Sequence, residues 1–163
     1  MSRLDSAIRR LQAQRACLDL AAELLDGVPG HVFELGLGNG RTYDHLRERF
    51  PSREIFVFEM KISAHPSCIP DDDHLFLGDV LDRLPAVTER FRGAVALVHA
   101  DIGSGVAEHN RRLAARISPL LPPLLAPGAL VVTDQEMTLP AATPVDLPDG
   151  VAAGRYHVVR APT

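Results

Sequence analysis

The sequence predicts an α/β fold, a doubly wound and mostly parallel sheet held between two layers of helices. Three observations predict it. Short apolar runs alternate with helical segments, the pattern of strand–helix–strand units that feed a parallel sheet. The first run leads into a glycine-spaced turn, HVFELGLGNGRT at His31–Thr42, which opens a helix. Acids recur where later strands should end, at Glu59, Asp79, Asp101 and Asp134, and that edge is where open α/β sheets bind ligands.

The elements follow in order. Ser2 to Leu25 reads as a helix with Leu4, Ile8, Leu11, Leu18 and Leu25 along one face; Gly27 and Pro29 stop it. Apolar Val32, Phe33 and Leu35 make His31–Leu35 a strand, and a helix over Thr42–Arg49 ends before Pro51. A second strand spans Glu54–Glu59. The loop over Lys61 to Asp73 carries two prolines and the solvated acids Asp71, Asp72 and Asp73. Next come a strand at His74–Leu77, a helix at Leu81–Phe91 and a strand at Ala94–Ala100. Glu108–Leu125 is helical in pattern, but Pro119, Pro122 and Pro123 must break or kink it. A fifth strand is expected at Ala129–Thr133. The segment LPAATPVDLPDG is too rich in proline for a helix. RYHVVR (Arg155–Arg160) reads as the final strand, with Thr143–Leu147 a candidate for a short sixth.

With 163 residues, the chain is long enough for one domain with a sizeable core. No apolar run approaches a membrane span, and the N-terminus has no signal-peptide core. Two cysteines make no disulfide framework, so a reducing, cytoplasmic setting is expected. Net charge is −4 and no basic stripe carries interleaved aromatics, which argues against nucleic acid as a partner.

The turn is the most informative stretch. Gly36, Gly38 and Gly40 alternate, and Glu34 stands two residues before the first. Glycine lets the chain turn with positive φ and lets a ligand lie against the backbone; a helix start beyond it offers free N–H groups. A dinucleotide site wants G-x-G-x-x-G, but here Arg41 stands where the third glycine belongs. Glu34 is also foreign to that fingerprint and suits a ligand carrying an ammonium group. Glu59, 19 residues after Gly40, is placed to accept from ribose hydroxyls, whichever nucleotide is bound.

The pattern E-x-G-x-G-x-G resembles motif I of the class I S-adenosylmethionine-dependent methyltransferases, and the chain resembles their small stand-alone members from about residue 28 to residue 136. The resemblance implies a Rossmann-like α/β/α sandwich with an antiparallel C-terminal strand. It treats residues 1–163 as one domain, with an N-terminal helix at 2–25, a core at 28–136 and a short C-terminal strand region at 137–163. It implies S-adenosylmethionine as cofactor. Glu34 would anchor the methionine portion, with Gly36, Gly38, Gly40, Arg41 and Thr42 forming the turn beside it. Glu59 would meet the ribose, Asp79 and Val80 the adenine, and Met60 would also belong to the cofactor site. Asp101 would meet substrate or the methionine end, and His99 is a candidate base. Tyr43 and His109 are further candidates for the pocket.

The N/D-P-P-[YF] motif of amino-group methyltransferases is absent after the fourth strand, where His99-Ala100-Asp101-Ile102-Gly103-Ser104-Gly105 stands. Asp101, Asp134, Gln135 and Glu136 match the Mg²⁺ pattern of catechol-type O-methyltransferases only in part: His99 and Gln135 replace an Asp and an Asn, and the lysine base is missing. No metal is therefore expected. The predicted activity is methyl transfer to a small molecule; an NAD-binding oxidoreductase and a non-catalytic cofactor-binding protein are the alternatives. The family's usual last covering helix has no counterpart here. The resulting bare sheet face, with Ala7, Ala16, Cys17, Leu20, Ala21 and Leu24 beside the main face of the first helix, predicts a homo-oligomer, a dimer or a tetramer.

Overall fold

Each apolar run forms a strand in the computed structural model, which describes residues 2–163. The chain runs α1 (Arg3–Leu24), β1 (His31–Leu35), α2 (Arg41–Arg49), β2 (Ile55–Glu59), β3 (Leu75–Leu77), α3 (Val80–Phe91), β4 (Val95–Ala100), α4 (Ala107–Ile117), β5 (Leu125–Thr133), β6 (Thr143–Pro144) and β7 (His157–Arg160). The strands form one seven-stranded sheet in the order β3-β2-β1-β4-β5-β7-β6. The first five pair in parallel; β7 runs antiparallel to both β5 and β6. The Rossmann-like sandwich with an antiparallel C-terminal strand is thus the fold observed.

Strand alternation sorts the core into two layers. Val32, Leu97, Leu130 and Val132 face α1 and α2, where they meet Ala13, Cys17, Leu18, Ala21 and Leu46. Phe33, Leu35, Val98 and Val131 face α3 and α4, against Leu84, Phe91, Ala114 and Ile117. Phe33, Phe56, Phe58, Phe76 and Phe91 pack as one aromatic cluster. Phe76 is half-buried, and each of the other four contributes about 1.5–3 kcal/mol of burial free energy. Burial of the Cys17 thiol pushes its pKa up to about 11.

α1 begins at a capping box: Ser2 Oγ accepts from the Asp5 amide at 3.0 Å, and the Asp5 carboxylate accepts from the Ser2 amide at 3.1 Å. At the far end of α1, Arg53 donates to the carbonyls of Leu25, Val28 and Gly30 at 2.6–2.9 Å. One side chain thereby fixes the passage from α1 into β1.

Three boundaries differ from expectation. β5 starts at Leu125, because Leu125 pairs with Val95 before a register shift near Gly128. α4 stops at Ile117 and gives way to a 3-10 turn at Ser118–Leu120, in keeping with Pro119. β6 shrinks to Thr143–Pro144, although the Val145 amide still donates to the Val158 carbonyl.

The expected bare sheet face is filled from within the chain. Met137 and Leu139, in the connection after β5, pack on the α3/α4 layer; Val145, Leu147 and Val151 pack on the opposite layer. Cys17 and Ala21 are buried against the chain's own sheet. Of the other residues expected to extend the apolar face of α1, Ala16, Leu20 and Leu24 are half-buried and Ala7 is exposed, while Leu4 and Ile8 of the main face are exposed as well.

Among the described residues no helix is long and apolar enough to cross a membrane.

Candidate functional site

The strand order reverses direction between β1 and β4, both of which emerge at the same edge. That switch point leaves a crevice above the strand ends. Here the crevice has two lobes that meet at Gly36. The larger, about 410 Å³, lies between the glycine turn, the loop after β4 and α1; Arg10, Gln14, Gly38, Thr42, Asp101 and Asp134 are among its walls. The smaller, about 250 Å³, is lined by Glu59, Met60, Asp79, Val80, Ile102 and His109.

The three glycines of the turn serve different ends. A Cβ on Gly36 would press on Ile102 Cγ1 at 3.3 Å. One on Gly38 (φ +52°) would meet no atom within 4 Å, so it would project into the larger lobe that Gly38 lines. One on Gly40 would collide with the Cβ of Cys68. Gly40 is therefore a packing glycine rather than one approached by a ligand, as the motif suggested.

Glu59, at the end of β2, holds the turn in shape. Its Oε2 accepts from the amides of Leu37 at 2.7 Å and Gly38 at 2.9 Å, and its Oε1 from the Lys61 amide at 3.0 Å. An ionised carboxylate has about four acceptor positions, so capacity remains toward the smaller lobe. Asp79 caps α3 by accepting from the Leu81 amide at 2.9 Å and lines the same lobe. Arg41 and Thr42 open α2, whose N-cap Gly40 has no side-chain cap.

Glu34 lies elsewhere than the motif implied. It lines neither lobe and is 0% exposed. Register explains this: Glu34 pairs with His99 across β1 and β4, and both point into the α1/α2 layer. His99 Nδ1 donates to Glu34 Oε2 at 2.5 Å; Thr42 Oγ1 donates to the other oxygen. His99 is also 0% exposed, so its ring cannot reach a substrate and its expected role as a base is not supported.

From His99 the network continues outward. Its Nε2 lies 3.3 Å from the Tyr156 hydroxyl, which donates to Asp101 Oδ2 at 3.4 Å. Gln14 Nε2 donates to that oxygen at 2.6 Å and Arg10 at 3.0 Å. All three donors reach Oδ2, and Asp101 Oδ1 has no protein donor among the described residues. Burial works against the charge on His99, but Glu34 outweighs it and holds the ring's pKa above the ordinary histidine value. Burial, reinforced by the nearby Asp101 charge, likewise raises the Asp134 carboxyl.

The remaining candidates divide. His109 reaches the smaller lobe, whereas Tyr43 is buried in the core beneath α2. Asp71 caps the 3-10 turn at Asp72–His74, a local role on the surface. Gln135 donates to Asp134 at 3.0 Å, and Glu136 is exposed. Among the described residues no group of three or more His, Cys, Asp or Glu side chains could hold a metal ion. Arg10, Gln14, Asn110 and Tyr156 were not foreseen. Asn110 Oδ1 accepts from the Ser104 amide and hydroxyl, ordering the loop after β4. The available signal was the polar pair Arg10 and Gln14, four residues apart on a helix beside an apolar face.

Fold and crevice together define a nucleotide-cofactor protein of the methyltransferase type. A family described as S-adenosyl-L-methionine methyltransferase matches residues 1–161, and the chain belongs to it. The structure of an S-adenosyl-L-methionine methyl transferase from Silicibacter pomeroyi DSS-3 is similar over 98% of both chains, at 46% identity and a TM-score of 0.93. Human methyltransferase-like protein 13 in complex with SAH aligns over 93% of this chain and 81% of that one, at 14% identity and a TM-score of 0.54. TrmN from Thermus thermophilus aligns over 86% of this chain and 47% of that one, at 18% identity and a TM-score of 0.52. The last two show the shared fold alone. No curated protein matches the chain. The chain is a methyltransferase that uses S-adenosylmethionine, and the dinucleotide alternative ends with that family membership.

Proposed function

We propose that this methyltransferase acts on a small-molecule acceptor, with the adenosyl end of the cofactor in the smaller lobe and its methionine end in the larger. The observation that carries this reading is the two-lobed crevice meeting at Gly36, with Glu59 beside the junction. The residues present fit the group: Gly38 leaves open the space a side chain would fill, and carboxylates stand in both lobes. Glu59 would accept from the ribose hydroxyls, with Met60 beside it. Asp79 and Val80 would meet the adenine. The turn amides of Gly36, Leu37 and Gly38 are already given to Phe58 and Glu59, so the methionine carboxylate would rest on the backbone N–H groups of Arg41 and Thr42 at the start of α2, with Gly36 and Gly38 leaving it room. Asp101 rather than Glu34 would receive the ammonium group, through its open Oδ1.

When bound, S-adenosylmethionine supplies a methyl group already activated on a sulfonium. The chain's task is then to position the acceptor and, where needed, take its proton. Asp134 is suited to the second task, since burial raises its pKa and it lines the larger lobe. Glu34 and His99 are positioning residues in this reading: they hold Thr42 on one side and, through Tyr156, Asp101 on the other.

A cytoplasmic setting is consistent with the two free thiols. Self-association, as a dimer or tetramer, has its support in the exposed Leu4, Ile62 and Leu77; light scattering tests it. Calorimetry with S-adenosylhomocysteine should show one site per chain. Glu59→Ala should weaken binding by about 1–3 kcal/mol, the cost of leaving hydrogen-bonding partners unmet. Absence of binding to the folded wild type overturns the assignment.

A further inference from the structure

Beside the larger lobe lies a second opening that the cofactor assignment does not use. It is a cleft of about 370 Å³ between α1 and α2. Ile8, Leu11 and Leu18 give it an apolar wall, and Arg15 and Arg41 stand at its rim. Leu11, Gln14, Arg41 and Thr42 line both this cleft and the larger lobe. A molecule seated here therefore abuts the chamber that holds Asp101 and Asp134.

The charges around the cleft are uneven. Of the seven arginines on these two helices, three are held by carboxylates, Arg10 by Asp101, Arg47 by Asp44 and Arg49 by Asp19, and of the other four only Arg15 and Arg41 line the cleft. Arg15 and Arg41 enter no ion pair among the described residues. Two uncommitted guanidinium groups thus border an apolar wall, in a chain whose net charge is −4. Guanidinium groups pair with carboxylate, sulfonate or phosphate oxygens through two parallel hydrogen bonds and repel ammonium groups. A volume of this size lies in the range of small-molecule sites.

We infer that this cleft receives the methyl acceptor, and that the acceptor is a small molecule with an apolar body and an oxyanion group paired with Arg15 and Arg41. The inference rests on the cofactor assignment above, since it is the neighbouring lobe that makes the cleft an acceptor site. The apolar body lies along Ile8 and Leu11, and the reacting atom is presented toward the shared wall at Gln14. Ile8 is 44% exposed, a cost that an apolar occupant relieves.

The test uses the full chain saturated with S-adenosylhomocysteine and three probes of one shape: 2-naphthoate, 2-naphthol and 2-naphthylmethylamine. Binding is followed by titration with NMR or calorimetry. The naphthoate should bind about tenfold more tightly than the amine, with the naphthol between them, because only the anion gains the charge-assisted pairing. Arg15→Gln should bring the naphthoate close to the naphthol, and Ile8→Ser should weaken all three probes. Both residues lie outside the walls of the two cofactor lobes, so S-adenosylhomocysteine affinity should be unchanged in both variants. Naphthoate binding that is indifferent to Arg15→Gln, or an amine that binds as well as the anion, overturns the inference. So does a dimeric mass that Ile8→Ser converts to a monomer, which would give the cleft to a second copy of the chain. Failure of the wild type to bind S-adenosylhomocysteine overturns the cofactor assignment instead, and the two failures are thereby distinguished.

Discussion

Glu34 and His99 stand opposite one another in register across β1 and β4, joined at 2.5 Å with both side chains fully buried. The pair sits behind the glycine turn and links it to the loop after β4. Removing one partner leaves the other's charge or polar group buried and uncompensated, which costs about 3–5 kcal/mol. Glu34→Gln and His99→Gln should each lower unfolding free energy by about that amount in urea titrations. The double variant should lose much less than the sum, because the pair acts as a unit. Additive losses would show that the two side chains are not coupled.

The same pair gives stability a pH dependence. The native His99 ring holds its proton more tightly than the unfolded chain does, so protonation favours the fold. This contribution is complete below the unfolded histidine value of about 6.5 and is lost as pH rises through the higher native value. Denaturation midpoints measured from pH 6 upward should fall, and His99→Gln should flatten that part of the profile relative to wild type. An unchanged slope in the variant would assign the dependence to another group.

Two glycines of one motif should respond oppositely to one substitution. Asparagine tolerates the left-handed backbone better than other side chains, so it tests space rather than strain. Gly38→Asn should fold nearly normally and lose about tenfold or more in S-adenosylhomocysteine affinity, as its side chain enters the lobe. Gly40→Asn should lose about 1–3 kcal/mol of stability by crowding Cys68. Melting curves and calorimetry on the two proteins separate the effects.

Arg53 is a structural device far from the crevice. Its three carbonyl contacts join the end of α1 to the start of β1, and hydrogen bonds from charged donors are worth about 1.5–3 kcal/mol each before the cost of ordering the side chain. Arg53→Ala should lower stability by about 2–4 kcal/mol, leaving carbonyls without a donor. Cofactor affinity in the folded fraction should be unchanged.

Chelation should leave cofactor binding untouched. Asp101 Oδ2 is occupied by Arg10 and Gln14, and Asp134 accepts from Gln135, which leaves few oxygens for a hard cation. S-adenosylhomocysteine affinity should be equal in EDTA and in millimolar Mg²⁺. A Mg²⁺-dependent rise would show that Asp101 exchanges its protein donors for a metal.

The strands were legible because apolar alternation and flanking glycines are local properties, and the β1 turn because its spacing is local too. Glu59 and Asp79 could be placed at strand ends for the same reason. The direction of Glu34 was not legible. It depends on pairing with a residue 65 positions away, and a motif reading assigns the acid to the ligand by default. Tyr156 and Gln14 were hidden likewise, since each becomes part of the site only through a partner on another element. Gly40 carries the same lesson: its reason is Cys68, in a loop whose path the sequence does not specify. The covering role of Met137 and Leu139 has no periodic signature, because two side chains on an irregular segment do the work of a helix.

α1 is held in place by contacts that are distant in sequence. Its contacts to Asp101 span 87 and 91 residues, and the Arg160 contact to its last turn spans 136. Its apolar face cannot find the sheet until β4 and β5 exist, and the hydroxyl that joins Asp101 to His99 arrives only with Tyr156. Such long closures slow folding. The larger lobe is therefore complete only once α1, the loop after β4 and the approach to β7 have all met at Asp101.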